Sequence, residues 1–279
     1  MKIVLAGLGV IGGSFAMALK KAGYETVYGI DTDAATLEKA QSQGLILAGD
    51  VDGTALLREA DLTIVSIYPH SVPGFLSAHR QDFKPGSVIT DATGVKSELA
   101  AKLDGLLPDH VDFVLGHPMA GREKMGFDFA SDAVFKGANY ILTPLPRNSE
   151  KSMRMVEALA LQLGFKRVRR VSPQEHDELI AHVSQLPHAM AVALINSDRP
   201  DRATGQFIGD SYRDLTRIAR INATLWSELF LSNREFLLEA IEDFTTQMTL
   251  IQNALRRGDK DALIKLFEQS TARREKLDG

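Results

Sequence analysis

Residues 2–12 read Lys-Ile-Val-Leu-Ala-Gly-Leu-Gly-Val-Ile-Gly, and the architecture follows from them. Lys2 to Gly7 reads as a strand, and Gly7, Gly9 and Gly12 complete the pattern Gly-x-Gly-x-x-Gly. Phe15, Ala16, Leu19 and Ala22 then recur at three- and four-residue steps, as one face of a helix requires. A second strand pattern, Thr26–Ile30, closes a strand–helix–strand unit of about 30 residues, the mark of a parallel sheet. In that setting Gly7 permits the tight turn, Gly9 lets backbone approach a pyrophosphate, and Gly12 lets helix and strand pack closely. The backbone of Leu8, Val10 and Ile11 completes a cradle at a helix N-terminus, where amide groups and dipole favour phosphate. Asp31, 19 residues after Gly12, stands where an acidic side chain accepts ribose hydroxyls and repels a 2′-phosphate. No arginine follows Asp31, which favours NAD over NADP; Asp33 competes for the ribose role.

Further strand patterns lie at 62–67, 87–91, 112–115, 140–143 and 167–171, short and apolar as in a sheet covered on both faces. After Ser172 they stop. Ser172, Pro173 and Glu175 form a helix start, with serine placed to cap and proline at the first helical position. The rest reads as helices, interrupted near 197–204 and at Gly258-Asp259. These patterns predict an α/β domain over 1–172 and an all-α domain over 173–279. Within a long helical pattern from Trp226 to Leu255, the residues Leu237, Ile241, Phe244, Met248, Ile251 and Leu255 make a heptad-like seam. Such a seam packs within one subunit or against a second copy related by two-fold symmetry.

Composition narrows the function classes. The chain has 279 residues, 44% hydrophobic and 24% charged, as expected of a globular protein. With no cysteine it has neither a disulfide framework nor a thiolate metal site, and no metal centre is expected. Residues 1–172 carry no net charge, and 173–279 carry the whole formal charge of −4. Neither half has the basic excess that nucleic acid demands. No apolar run approaches the roughly 20 residues of a membrane span, and no leader pattern precedes the first strand. The expectation is a cytoplasmic enzyme acting on a small molecule.

Gly116-His117-Pro118-Met119-Ala120-Gly121 then supplies the chemistry. A histidine on a glycine- and proline-braced turn, beside a nicotinamide, is what oxidation of an alcohol needs, since one group takes the proton while the cofactor takes hydride. The same histidine could equally end a strand and bond only to backbone. Asp91-Ala92-Thr93-Gly94-Val95-Lys96 follows a strand on the same edge, where ligands of open α/β sheets bind. His182 and His188 are off the i, i+4 spacing of a helical metal pair. Arg213 and Arg217 are candidates to hold an anionic substrate, although arginines on a helix face are more often solvated.

With these residues in hand, the sequence resembles the prephenate and arogenate dehydrogenases along nearly its whole length. Gly7–Gly12, Gly116–Gly121, Leu186-Pro187-His188 and Arg213-Asp214-Leu215-Thr216-Arg217-Ile218-Ala219 occur in that family's order and spacing. The first motif is shared with many dehydrogenases, and the other three together are specific. The resemblance implies a Rossmann-like domain followed by an all-helical domain that builds a homodimer. It implies that His117 is the catalytic histidine and that His188 and Arg217 bind substrate carboxylates. It places Glu123 near the substrate entrance, Asp214 beside the active-site arginine, and Trp226 near the pocket. One position departs: many members have serine before the Val-Lys pair, bonded to the catalytic histidine, and this chain has Gly94. Thr93 or a water is then expected to orient His117. The chain ends about where the helical domain should finish, so no tyrosine-binding regulatory domain is expected after it.

Two other readings compete. β-Hydroxyacid dehydrogenases share the two-domain plan but use a lysine base in the helical domain, and no lysine occurs between Lys166 and Lys260. A non-catalytic NAD sensor would be expected to lose His117 or Arg217 before the glycines, yet both are present.

Overall fold

The computed structural model describes residues 1–103, 105–121 and 124–278. Eight strands form one sheet in the order β3-β2-β1-β4-β5-β6-β7-β8. They are β1 (Ile3–Ala6), β2 (Val27–Ile30), β3 (Gly49–Asp50), β4 (Leu62–Val65), β5 (Val88–Asp91), β6 (Asp112–Pro118), β7 (Asn139–Thr143) and β8 (Arg167–Arg170). All neighbours are parallel except β6 and β7. The first six strands follow the doubly wound Rossmann order, which reverses beside β1. The two-residue β3 went unread in the sequence because it is too short to show alternation.

Around the sheet lie α1 (Val10–Lys21), α2 (Ala34–Ser42), α3 (Thr54–Leu57), α4 (Val72–Ala78), α5 (Ser97–Lys102) and α6 (Glu150–Gln162). Alternation along β1 divides the core: Ile3 and Leu5 pack with Phe15 and Leu19 of α1 and Val156 and Leu159 of α6. Val4 and Ala6 join Leu57, Val72, Leu76 and Leu99 on the other face.

Ser172 caps α7 (Pro173–Ile180), its hydroxyl accepting from the Glu175 amide at 3.1 Å. One π-helical turn, Ala181–Gln185, leads into α8 (Leu186–Asn196). Pro187 explains the widened turn, since it has no N–H and its ring crowds the preceding carbonyls. By length and composition alone the run Pro173–Asn196 could cross a membrane, contrary to the expectation of no such run. Its Asp177, however, bonds to backbone at the start of α5. Then come α9 (Asp210–Thr216) and α10 (Ala223–Ser232).

The expected continuous helix from Trp226 to Leu255 is broken at Asn233. That buried side chain donates to the Asp177 carbonyl and to Gln185 Oε1, each at 2.8 Å, and its own backbone leaves helical geometry. Two compact units result, Met1–Asn233 and Arg234–Gly279. The second is α11 (Arg234–Arg257) packed on α12 (Lys260–Asp278), joined at Gly258, whose φ is +64°. Met248 and Leu255 of the seam are exposed.

Candidate active site

The glycine loop crosses from β1 to α1 at the carboxyl edge of the sheet. Gly7 has φ +89°, and a Cβ there would also lie 2.7 Å from the Ser66 carbonyl oxygen. At Gly12 a Cβ would meet the Gly7 carbonyl oxygen at 1.8 Å, so only glycine lets the turn close. Gly9 is different: no heavy atom lies within 4 Å of where its Cβ would be. Gly9 caps α1 without any side-chain bond, and the first turn, with Val10 and Ile11, contains no acidic residue. The positive end of the helix therefore faces open space, which fits a pyrophosphate. Asp31 closes the far side of the loop, accepting the Leu8 amide at 2.7 Å and the Asp33 amide at 2.9 Å. Asp33 is taken up in capping α2, through Ala35 and Thr36.

His117 lies within β6, paired with Ile141 of β7, and not on a turn after the strand. The antiparallel β7 keeps the end of β6 extended after its parallel pairing with β5 stops at Val114. Where that pairing stops, a buried ion pair takes over. Asp91 accepts the Gly116 amide at 3.0 Å, and Lys96 donates to the Gly116 carbonyl. Lys96 Nζ also donates to Asp91 at 2.6 Å and to Thr93 Oγ1 at 3.0 Å, so its three protons are all used. Neither charged side chain of the pair meets solvent. Burial pushes the Lys96 ammonium below its usual range, against the pull of Asp91.

Nδ1 of His117 lies 2.9 Å from Nε2 of His176, and Nδ1 of His176 lies 2.7 Å from Asp177 Oδ1. Asp177 also accepts the backbone amides of Lys96 at 2.8 Å and Ser97 at 2.7 Å. Part of His117 still meets solvent, yet desolvation, then His176 and Lys96, hold its pKa well below the ordinary imidazole range. Burial also lowers His176, although Asp177 pulls the other way. For Asp177 burial pushes upward, but hydrogen bonds from His176, Ser97 and Lys96 win and keep it below the usual carboxylate value.

The Thr93 hydroxyl is engaged with Asp91, so the expected bond from Thr93 to His117 is replaced by the one to His176. A Cβ on Gly94 would lie 3.2 Å from Leu229 Cδ2 and 3.9 Å from His117 Cε1, so Leu229 crowds this spot. His176 and Asp177 were missed in the sequence.

One turn before Leu229 on α10, Trp226 stacks on His188 with ring centroids 3.7 Å apart. The i, i+3 step puts Trp226 and Leu229 on one face, which links the His188 cluster to Gly94 and His117. His188 Nδ1 lies 2.8 Å from the Ser184 carbonyl, so Nε2 donates only when the ring carries its second proton. Arg217 begins a 3₁₀ turn that packs on α8. Arg213 pairs with Asp210 at 2.5 Å on the exposed side of α9, and Asp214 is exposed beside it. Glu123 lies outside the described residues.

Comparison with known proteins places this geometry. Residues 15–169 match the family model of the prephenate dehydrogenase nucleotide-binding domain, and residues 172–269 match that of its dimerization domain. The prephenate dehydrogenase of Lactococcus lactis subsp. cremoris is 32% identical, over 99% of this chain and 77% of that protein. The crystal structure of A. aeolicus prephenate dehydrogenase, in complex with hydroxyphenyl propionate and NAD+, is 30% identical with a TM-score of 0.88, covering 99% of this chain and 98% of that one. Synechocystis arogenate dehydrogenase is 26% identical with a TM-score of 0.83, covering 99% of this chain and all of that one. This chain belongs to the prephenate dehydrogenase family.

Proposed function

We propose that this chain is the NAD-dependent dehydrogenase that converts prephenate to hydroxyphenylpyruvate and carbon dioxide in tyrosine biosynthesis, with arogenate as the alternative acid. Family membership supports the reaction, and the relatives named above include enzymes of both substrates. One observation carries the assignment of roles: His117, neutral and part-exposed, ends β6 on the same sheet edge where the loop after β1 faces open space. Three strand spacings separate the two, roughly 14 Å, a distance an extended dinucleotide spans.

Gly7, Leu8, Gly9, Val10, Ile11 and Gly12 would hold the pyrophosphate, and Asp31 the adenosine ribose. Bound there, NAD supplies the hydride acceptor. His117 takes the proton of the ring hydroxyl as hydride leaves the same carbon. As the ring carboxylate departs as carbon dioxide, its bonding electrons pass to the new carbonyl, the ring becomes aromatic, and the proton returns from His117 to the oxygen. Arg217 holds a carboxylate through its planar fork, with His188 as a second donor when its ring carries both protons and Trp226 as the wall behind it. Thr93 and Gly94 shape the floor beside His117.

In this reading residues 1–172 carry the nucleotide and 173–279 carry the substrate groups of a cytoplasmic homodimer. The dimerization description of the second family model and the exposed Leu179, Val183 and Leu194 support pairing of two copies.

The test is NADH formation from prephenate and from arogenate, by the wild type and by His117→Asn. The variant should fold and lose about 10²–10⁴-fold in kcat. Undiminished kcat would mean that another group takes the proton.

A further inference from the structure

His117 can act as a base only at a nitrogen that carries no proton, and four hydrogen bonds decide which one that is. Backbone amides can only donate, so Asp177 must accept from Lys96 and Ser97. A carboxylate so held stays ionised, and the His176 Nδ1 facing it at 2.7 Å must therefore carry a proton. A neutral imidazole has one N–H, which leaves a lone pair on His176 Nε2. That lone pair faces His117 Nδ1 at 2.9 Å, so the proton in this contact belongs to His117.

We propose that His176 and Asp177 are positioning residues that fix His117 as the Nδ1–H tautomer and leave Nε2 as the lone pair that receives the substrate's hydroxyl proton. The proposal rests on the reading of His117 as the base. The opposite arrangement needs a doubly protonated His176, and the surroundings oppose it. Lys96 bears on both rings as a buried cation, and burial disfavours a second charge; Asp177 and the more distant Asp91 favour one but do not prevail. When Nε2 accepts a proton, the Nδ1–H contact to His176 becomes charge-assisted and shortens, so the network is tightest at the moment of proton transfer. The arrangement follows the logic by which a buried aspartate orients a catalytic histidine, with a second histidine interposed. It also accounts for Gly94: the bond that a serine there would make is made by His176.

The test uses the full-length protein labelled with ¹⁵N at its seven histidines, with His117 identified by its absence in His117→Asn. Near neutral pH the ring nitrogens of wild-type His117 should report a protonated Nδ1 and a bare Nε2. His176→Asn keeps a donor for Asp177 and removes the acceptor for His117. It should release His117 into a mixture of tautomers and lower kcat about 10- to 100-fold, with KM for substrate and NAD little changed. His176→Gln puts an amide oxygen near the lost Nε2 and should restore part of both signals. A proton on Nε2 in the wild type, or a His176→Asn enzyme with kcat within twofold of wild type, overturns the proposal. Because the first readout does not depend on His176→Asn, it decides the matter even where that variant does not fold. If His117→Asn loses activity while wild-type His117 is protonated at Nε2, only the positioning role fails; if His117→Asn keeps its kcat, the base assignment itself fails.

Discussion

The glycine loop and the surroundings of His117 lie on one edge of one sheet but are built in opposite ways. The loop is contiguous backbone, shaped by what glycine lacks: a Cβ at Gly12 would strike the Gly7 carbonyl, and one at Gly9 would stand in open space. The His117 site is made of side chains gathered from β5, β6 and α7, with its central histidines 59 residues apart in sequence. Its charged members are almost wholly removed from water. Backbone recognition tolerates change in most side chains around it, whereas a buried polar network is sound only when every member is satisfied. The two regions should therefore fail differently.

The sharpest contrast is expected at Lys96. Lys96→Met keeps most of the apolar stem, leaves Asp91 buried without its cation, and takes the donor from the Gly116 carbonyl next to His117. Breaking such a pair should cost about 3–5 kcal/mol, read from the urea midpoint at constant slope. Adding Asp91→Asn should recover part of the loss, because the two sites are coupled. An unchanged midpoint for Lys96→Met would show that the pair is not what supports β6 beyond its pairing with β5.

The same difference governs how much could be read from sequence. Most strands of the sheet announce themselves as short apolar runs, and the glycine spacing is contiguous, so the fold and the loop were legible. The two-residue β3 had no pattern to read. His117 looked like a turn residue because glycine and proline flank it, but only the partner strand β7, 24 residues further along the register, shows that the chain is extended there. The break at Asn233 was hidden because the helical periodicity runs through it, and a tertiary demand from Asp177 and Gln185 ends the helix. His176 and Asp177 did leave a trace. They share the buried face of α7 with Ile180, where the pattern calls for apolar residues. Polar residues at core positions of an amphipathic helix are the signal that should have raised them.

Two glycines offer a smaller but cleaner comparison within the loop. Gly12→Ala forces the Gly7 carbonyl aside and should destabilise the unliganded protein by about 1–3 kcal/mol, with NAD binding lost as the turn opens. Gly9→Ala meets nothing and keeps an ordinary φ of −68°, so stability should change by less than about 1 kcal/mol. The added methyl stands where phosphate should approach, and NAD affinity by calorimetry should still fall. If Gly9→Ala bound NAD as tightly as wild type, the open space at Gly9 would not be the phosphate site.

The weakest expected effect probes the other region through its protons. His117 and His176 both have folded pKa values below the ordinary imidazole value of about 6.5. Above that pH both states of the chain hold these rings neutral, and the stability is fully present. As pH falls below about 6.5 the unfolded chain binds protons that the folded one refuses, so stability is lost progressively toward the lower folded values. His117, lowered further, should account for most of the loss over the first pH unit, and His176 adds to it in the same direction. Asp177, also depressed, acts in a separate window: its contribution is present above about 3.9 and fades only in stronger acid. Stability of wild type and His117→Asn, measured by urea unfolding between pH 7.5 and 5.5, on the order of a two-unit span, should show a shallower fall in the variant. Equal slopes would mean that His117 is protonated alike in the folded and unfolded chain, and the contrast between a dry polar network and an open backbone cradle would then rest on His176 alone.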